Sequence, residues 1–160
     1  MPNISSEEST VIEDMFSWCP NDLSVIKKAL LDVKNREGLY QEVVKHKGNL
    51  YSLKSDISEA TGLNLKVSGE LGRELWFVVK QNSDRERMLK NGIVYGIWIH
   101  EGSLCKYPEH EKLNGRQFPI KKGVKMGVFK RILPAQLIGC KCMIKPVLSG
   151  NPPIFNRADK

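Results

Sequence analysis

The spacing of apolar residues changes along this chain, and that change constrains its fold. In the first part, apolar residues recur every three or four positions, as on one face of a helix: Leu23, Ile26, Leu30 and Val33. From about Leu63 the spacing becomes two, compact apolar runs follow at residues 75–79 and 93–99, and the last clear strand pattern lies at residues 138–144. Helices followed by strands predict an α+β fold with a mostly antiparallel β-sheet.

The helical part has clear internal boundaries. Residues 21–47 are predicted to be helical, with an interruption at Asn35 and Gly38, whereas residues 49–62 fit a helix less clearly. Among the strands, Ser83 and Glu86 have the spacing of a capping box, and Asn91-Gly92 is a typical stop. We therefore expect a separate short helix between the strands at residues 75–79 and 93–99.

The domain organisation follows from length and composition. A chain of 160 residues fits one domain with extensions. We predict an acidic head at residues 1–20, a globular domain at 21–148 and an extended Pro-rich tail at 149–160. In the head, Ser5 and Glu8 form a capping-box pattern that predicts a helix start. Because the strongest periodicity begins after Pro20, we expect the folded core to begin there too.

Charge is distributed very unevenly. The net charge is +7, yet residues 1–26 contain five acidic residues and no Lys or Arg. Residues 112–158 contain ten Lys or Arg and no Asp or Glu. A field of this kind attracts polyanions. Phe118, Phe129 and Phe155 lie among the basic residues, and aromatic rings stack on unpaired bases while Lys and Arg contact phosphate.

The sequence therefore favours non-enzymatic binding of nucleic acid, RNA rather than DNA, or of a ribonucleoprotein. The predicted contact residues lie in the basic C-terminal half: Lys112, Arg116, Lys121, Lys122, Lys125, Phe129, Lys130, Arg131, Lys141 and Lys145. In the competing interpretation the aromatic residues are core residues and the lysines serve solubility.

Two other functions fit the same charge pattern. One is a viral structural protein of matrix type, which bridges an anionic membrane surface and a nucleocapsid and self-associates as a homo-oligomer. The other is a protein-interaction adaptor whose partner carries an acidic segment.

Cysteine and histidine residues raise the question of a metal. Possible ligands for a tetrahedral zinc site are His100, Cys105, His110, Cys140 and Cys142, and the candidate set is Cys105, His110, Cys140 and Cys142. Their spacing is irregular, however, and a strand at residues 138–144 would place Cys140 and Cys142 in one apolar row. Because buried free cysteine behaves as a small hydrophobic residue, the sequence favours core thiols, with no metal and no other cofactor.

No sequence motif points to catalysis. The chain lacks a nucleophile elbow, a phosphate-binding loop and a dinucleotide fingerprint, so we do not expect an enzyme. The acidic N-terminus does not resemble a signal peptide, and four irregularly spaced cysteines do not form a disulfide scaffold. These features predict a cytoplasmic or nuclear protein that is not secreted.

Overall fold

A computed structural model describes residues 3–148, so the predicted tail at 149–160 lies outside the described residues. The α-helices are α1 (Ser6–Met15), α2 (Leu23–Lys34), α3 (Tyr40–His46), α4 (Leu50–Thr61) and α5 (Leu65–Lys90). The strands are β1 (Tyr95–Ile99), β2 (Gln117–Pro119), β3 (Val124–Lys125), β4 (Arg131–Ile132) and β5 (Met143–Pro146). Helices thus precede small antiparallel sheets, which confirms the α+β prediction. The chain forms two compact units, Met1–Lys80 and Gln81–Lys160.

Helix α1 is part of the core of the first unit. Its start is the capping box predicted from the sequence, in which Ser5 Oγ accepts from the Glu8 amide at 3.1 Å and Glu8 Oε1 accepts from the Ser5 amide at 3.0 Å. Ile12 and Phe16 are buried. The expectation that the core begins after Pro20 is therefore wrong, because the apolar face of the acidic segment packs inward.

Helices α2 to α4 follow the sequence patterns closely. Residues 21–47 form α2 and α3 with the predicted interruption between them, where Gly38 adopts a positive φ of 55°. The ambiguous region at 49–62 is helix α4, and the Asn49 side chain caps its start by accepting from the Ser52 amide at 3.2 Å. Ile26, Leu30 and Val33 of α2 are buried, as their spacing indicates.

Helix α5 overturns three local predictions. Residues 75–79 and the alternating residues 63–67 are not strands, and the separate short helix around Ser83 and Glu86 does not exist, because one helix runs from Leu65 to Lys90. Its buried face repeats every four residues: Val67, Leu71, Leu75 and Val79. Asn64 explains the start of the helix, since its Oδ1 accepts from the Val67 amide at 2.9 Å. The predicted stop at Asn91-Gly92 is correct.

The second unit contains the two small sheets. In the first, β1 lies between β2 and β5, and both pairings are antiparallel. In the second, β3 and β4 form a hairpin in which Val124 pairs with Ile132 and Lys125 with Arg131. The predicted strand at 93–99 is β1, and its Trp98 is completely buried, which fits a packing role.

The last predicted strand is wrong in position. Residues 138–142 form turns and irregular structure, and only residues 143–146 pair with β1. The argument that Cys140 and Cys142 share one strand face therefore fails, although both side chains are buried. Among residues 3–148, no helix combines the length and the apolar character that a membrane crossing requires.

Candidate metal centre and basic hairpin

Four side chains of the second unit converge on one point. Cys105 follows the turn after β1, His110 lies on the 3₁₀ helix Pro108–Leu113, and Cys140 and Cys142 precede β5. Their three sulfur atoms and one ring nitrogen all lie within 4.8 Å of one another, and all four residues are buried. This is the set of residues that the sequence offered as zinc ligands.

Local hydrogen bonds bring these segments together. The Cys105 amide donates to the Glu101 carbonyl at 2.7 Å, which closes the turn after β1. The next residue, Lys106, donates its amide to the Gly139 carbonyl at 3.0 Å. The Tyr107 hydroxyl donates to the Ile138 carbonyl at 2.7 Å. Two consecutive residues thus fix the Cys105 segment against the turn that carries Cys140 and Cys142.

The donor atoms are spaced like the corners of a tetrahedron. His110 Nδ1 lies 3.4 Å from Cys140 Sγ, 3.8 Å from Cys105 Sγ and 4.0 Å from Cys142 Sγ. The sulfur atoms of Cys105 and Cys142 are 3.7 Å apart. A tetrahedral Zn²⁺ with bonds of about 2.3 Å to sulfur and 2.05 Å to nitrogen requires edges of about 3.8 Å (S–S) and 3.6 Å (S–N). The observed separations match these edges within about 0.4 Å.

Aromatic rings fix the orientation of the imidazole. Tyr107 stacks on His110 with ring centroids 5.1 Å apart and planes inclined at 14°. Trp98 meets the same ring edge-on, with centroids 5.5 Å apart. His110 is only 1% exposed, so bulk water cannot supply hydrogen bonds to its ring nitrogens. Packing of these aromatic rings therefore holds His110 Nδ1, the atom that faces the three sulfurs, in place.

Hydrogen bonds within the cluster shift the pKa values of its three thiols. Hydrogen bonding from Cys140, and further hydrogen bonds from His110 and His100, hold the pKa of Cys142 far below its usual value. Hydrogen bonding from Cys140 also lowers the pKa of Cys105, with backbone hydrogen bonds at Tyr107 and Lys141 acting in the same direction. The pKa of Cys140 is raised because it hydrogen-bonds to the other two sulfurs and is deeply buried.

His100, which the sequence also offered as a possible ligand but not in the candidate set of four, is a neighbour of the cluster. Its Nδ1 lies 3.2 Å from Cys142 Sγ, and its backbone amide donates to Asn114 Oδ1 at 2.9 Å. The hydrogen bond with Cys142 raises the pKa of His100. Its place at the end of β1, opposite the residues that precede β5, was the signal that could have indicated this contact.

The basic residues of the second unit are mostly on its surface. Six of the ten residues predicted to contact nucleic acid are exposed lysines: Lys112, Lys121, Lys122, Lys125, Lys130 and Lys145. Arg116, Arg131 and Lys141 are half-buried, and Arg131 donates to the Gly123 carbonyl at 2.9 Å, so it supports the hairpin. Of the three interleaved aromatic residues, Phe118 is buried, Phe129 is exposed, and Phe155 lies outside the described residues.

Phe129 and Val128 form the tip of the β3–β4 hairpin. Phe129 is 99% exposed and Val128 is 83% exposed, in a loop closed by a hydrogen bond from the Met126 amide to the Lys130 carbonyl at 2.7 Å. We call residues 121–131 the basic hairpin. It carries Lys121, Lys122, Lys125 and Lys130, none of which forms an ion pair with an acidic residue in the described part of the chain.

A smaller polar cluster lies in the first unit. His46 Nε2 is 2.6 Å from Asp56 Oδ2, and its Nδ1 is 2.9 Å from Ser52 Oγ. Both ring nitrogens are therefore engaged within the protein.

Comparison of the chain with protein-family models, with curated proteins and with solved structures finds no match.

Proposed function

We propose that this protein binds single-stranded nucleic acid, RNA in preference to DNA, without catalysis, and that the basic hairpin is its contact surface. The observation that carries the proposal is the full exposure of Phe129 among four exposed lysines. Burying a Phe side chain is worth about 1.5–3 kcal/mol, and here the fold does not gain it. An aromatic ring next to ammonium groups suits a ligand that offers both bases and phosphates.

Charge complementarity supports a polyanion as that ligand. Residues 112–148 contain nine Lys or Arg and no acidic residue, so the hairpin lies in a positive field. Lys125 and Lys130 flank the loop that presents Phe129, which allows phosphate contacts on either side of a stacked base. Contacts of this kind position a strand with little dependence on its sequence.

The test is binding of a labelled single-stranded RNA, followed by fluorescence anisotropy over a range of salt concentrations. Removing one lysine–phosphate interaction should reduce the slope of log affinity against log salt by about 0.7. Changing Lys121, Lys122, Lys125 and Lys130 to Gln together should therefore flatten the slope by about 2.8. A matched variant that changes Lys45, Lys47, Lys66 and Lys90 to Gln has the same net charge and should keep most of the slope.

The aromatic contribution is tested separately. Phe129→Ala should weaken binding by roughly 1–3 kcal/mol at every salt concentration, because stacking is not screened. The control is Tyr51→Ala, which removes an aromatic side chain that is 78% exposed in the first unit. Equal effects of the two quadruple variants, or of the two aromatic variants, would contradict the assignment to the hairpin.

The choice of ligand distinguishes the matrix-type and adaptor functions from nucleic-acid binding. Binding to vesicles that contain anionic lipid, with no binding to RNA, would replace the nucleic-acid proposal by membrane association. Binding only to an acidic peptide would favour the adaptor. We also propose a cytoplasmic or nuclear location, which imaging of a fluorescent fusion would test. Self-association belongs to the matrix-type function, and sedimentation velocity would test it.

A further inference from the structure

We propose that Cys105, His110, Cys140 and Cys142 bind one structural Zn²⁺ ion. The three sulfurs and the ring nitrogen lie within 4.8 Å of one another, at separations that fit the edges of a zinc tetrahedron. Three soft thiolates and one imidazole are a ligand set that selects zinc among the common divalent ions. This assignment reverses the preference for core thiols that the sequence alone favoured.

Packing does not account for the cluster as well as a metal does. Small hydrophobic core residues do not need to converge on one point. Here, however, four donor atoms from three segments face one another. The imidazole of His110 is almost completely buried, and among residues 3–148 the hydrogen-bond partners of its Nδ1 are sulfur atoms. A buried polar nitrogen with such weak partners costs free energy, whereas coordination would satisfy it fully.

Groups around the ligands fit the charge of the site. A Zn²⁺ ion with three thiolates and a neutral imidazole carries a net charge of −1. The Ala135 amide donates to Cys140 Sγ at 3.4 Å, and His100 Nδ1 lies 3.2 Å from Cys142 Sγ. Hydrogen bonds of this type orient thiolate ligands and spread their charge. His100 is thus a positioning residue, which acts through Cys142.

The ligand arrangement indicates a structural role. Four protein ligands complete a tetrahedron and leave no position for a water molecule or a substrate, in contrast to catalytic zinc sites. His110 and Cys140 stand at the two ends of the segment that contains the basic hairpin. Closing the loop between residues 110 and 140 costs conformational entropy. A metal ion that joins the two ends offsets this cost when it binds.

The first experiment measures metal content and coordination. The full-length protein, purified without a histidine tag, should contain one zinc per chain by elemental analysis. After exchange with Co²⁺, it should show the thiolate-to-cobalt charge-transfer bands and the strong visible bands of tetrahedral coordination. Cys105→Ser, Cys142→Ser and His110→Ala should each lose stoichiometric metal. The controls Cys19→Ser and His46→Gln change the same residue types in the first unit and should keep it.

A second measurement does not depend on the folding of the variants. In the wild-type protein, alkylation should modify Cys19 alone until a strong chelator is added, and should then modify three further thiols. If the protein is folded, contains no metal and binds no Co²⁺, the proposal is wrong. Three thiols that stay unreactive whether or not the chelator is present would be core residues, which would equally overturn it. Iron in place of zinc would overturn the choice of metal.

The role of His100 has its own test. His100→Gln should keep one zinc per chain but weaken its affinity about 10–100-fold in competition with a chromophoric chelator. Its Co²⁺ charge-transfer band should also shift, because the hydrogen bond changes the electron density on Cys142. A purely structural contribution of His100 would lower thermal stability and leave the band unchanged.

Discussion

Glu8 is an acidic residue of the N-terminal segment whose side chain takes part in the folded structure. Its side chain is only 1% exposed, and besides the capping box it accepts from Lys34 Nζ at 2.8 Å. A buried carboxylate without a partner would be costly, so α1 and α2 are held together by a charge pair as well as by apolar packing. The capping box could be predicted from spacing, but the partner on another helix could not.

The exchange of Glu8 for Gln tests this pair. Glu8→Gln keeps the size of the side chain and its local hydrogen bonding but leaves Lys34 without a counter-charge. We expect a loss of about 1–3 kcal/mol in the free energy of unfolding, measured by urea denaturation. Glu7→Gln, at an exposed position of the same turn, should change stability by less than about 0.5 kcal/mol. Similar losses in both variants would mean that helix-dipole effects dominate.

Asp56 gives a prediction about acid. Its hydrogen bond with His46 holds the pKa of this carboxyl below its ordinary value. The stabilisation is therefore fully present above the unfolded pKa of about 3.9, and it is lost as pH falls through the lower folded value. The difference in Tm between wild type and Asp56→Asn should be present at about pH 5 and should shrink as the pH falls below about 3.9. A constant difference across this range would contradict the ion pair as its source.

At the scale of elements, the chain illustrates where periodicity succeeds and where it misleads. Helices α2 and α3 could be predicted because their apolar stripes are bounded by clear interruptions. In α5, a compact apolar run at 75–79 obscured the repeat of Val67, Leu71, Leu75 and Val79. Such a run fits a buried strand or a buried helix equally, and only packing decides between them.

The turn before β3 depends on a glycine. Gly123 has a φ of 84°, and a Cβ atom there would lie 2.5 Å from the carbonyl oxygen of Ile132. Gly115 has a similar φ of 82° with open space around it. Gly123→Ala should therefore cost about 1–3 kcal/mol more than Gly115→Ala in urea denaturation, because only the former adds a clash with backbone. Equal costs would show that the backbone moves aside.

For the whole molecule, the order of helices and strands was enough to predict the α+β class. The candidate metal centre was harder to predict, because its four residues come from three segments whose meeting depends on the Lys106 and Tyr107 hydrogen bonds with residues 138–139. The sequence did name the four residues that the fold brings together. It could not decide between core thiols and ligands, since that choice depends on where each sulfur atom points.

Truncation tests whether the acidic segment is part of the folded molecule. Deleting residues 1–20 removes Ile12 and Phe16, each worth about 1.5–3 kcal/mol when buried. We expect a clear loss of helical circular dichroism or a Tm many degrees lower. Deleting only residues 1–4 leaves Ser5 to cap α1 and should have a small effect. A fully stable protein that lacks residues 1–20 would show that α1 docks without contributing to the core.

The packing of Trp98 gives the protein a built-in optical reporter. Its indole is completely buried and meets the His110 ring edge-on, whereas Trp18 is 44% exposed and Trp76 is half-buried. The shortest-wavelength part of the intrinsic emission should therefore come from Trp98. Co²⁺ bound beside His110 would quench that emission selectively, so occupancy of the centre could be followed in real time without any label.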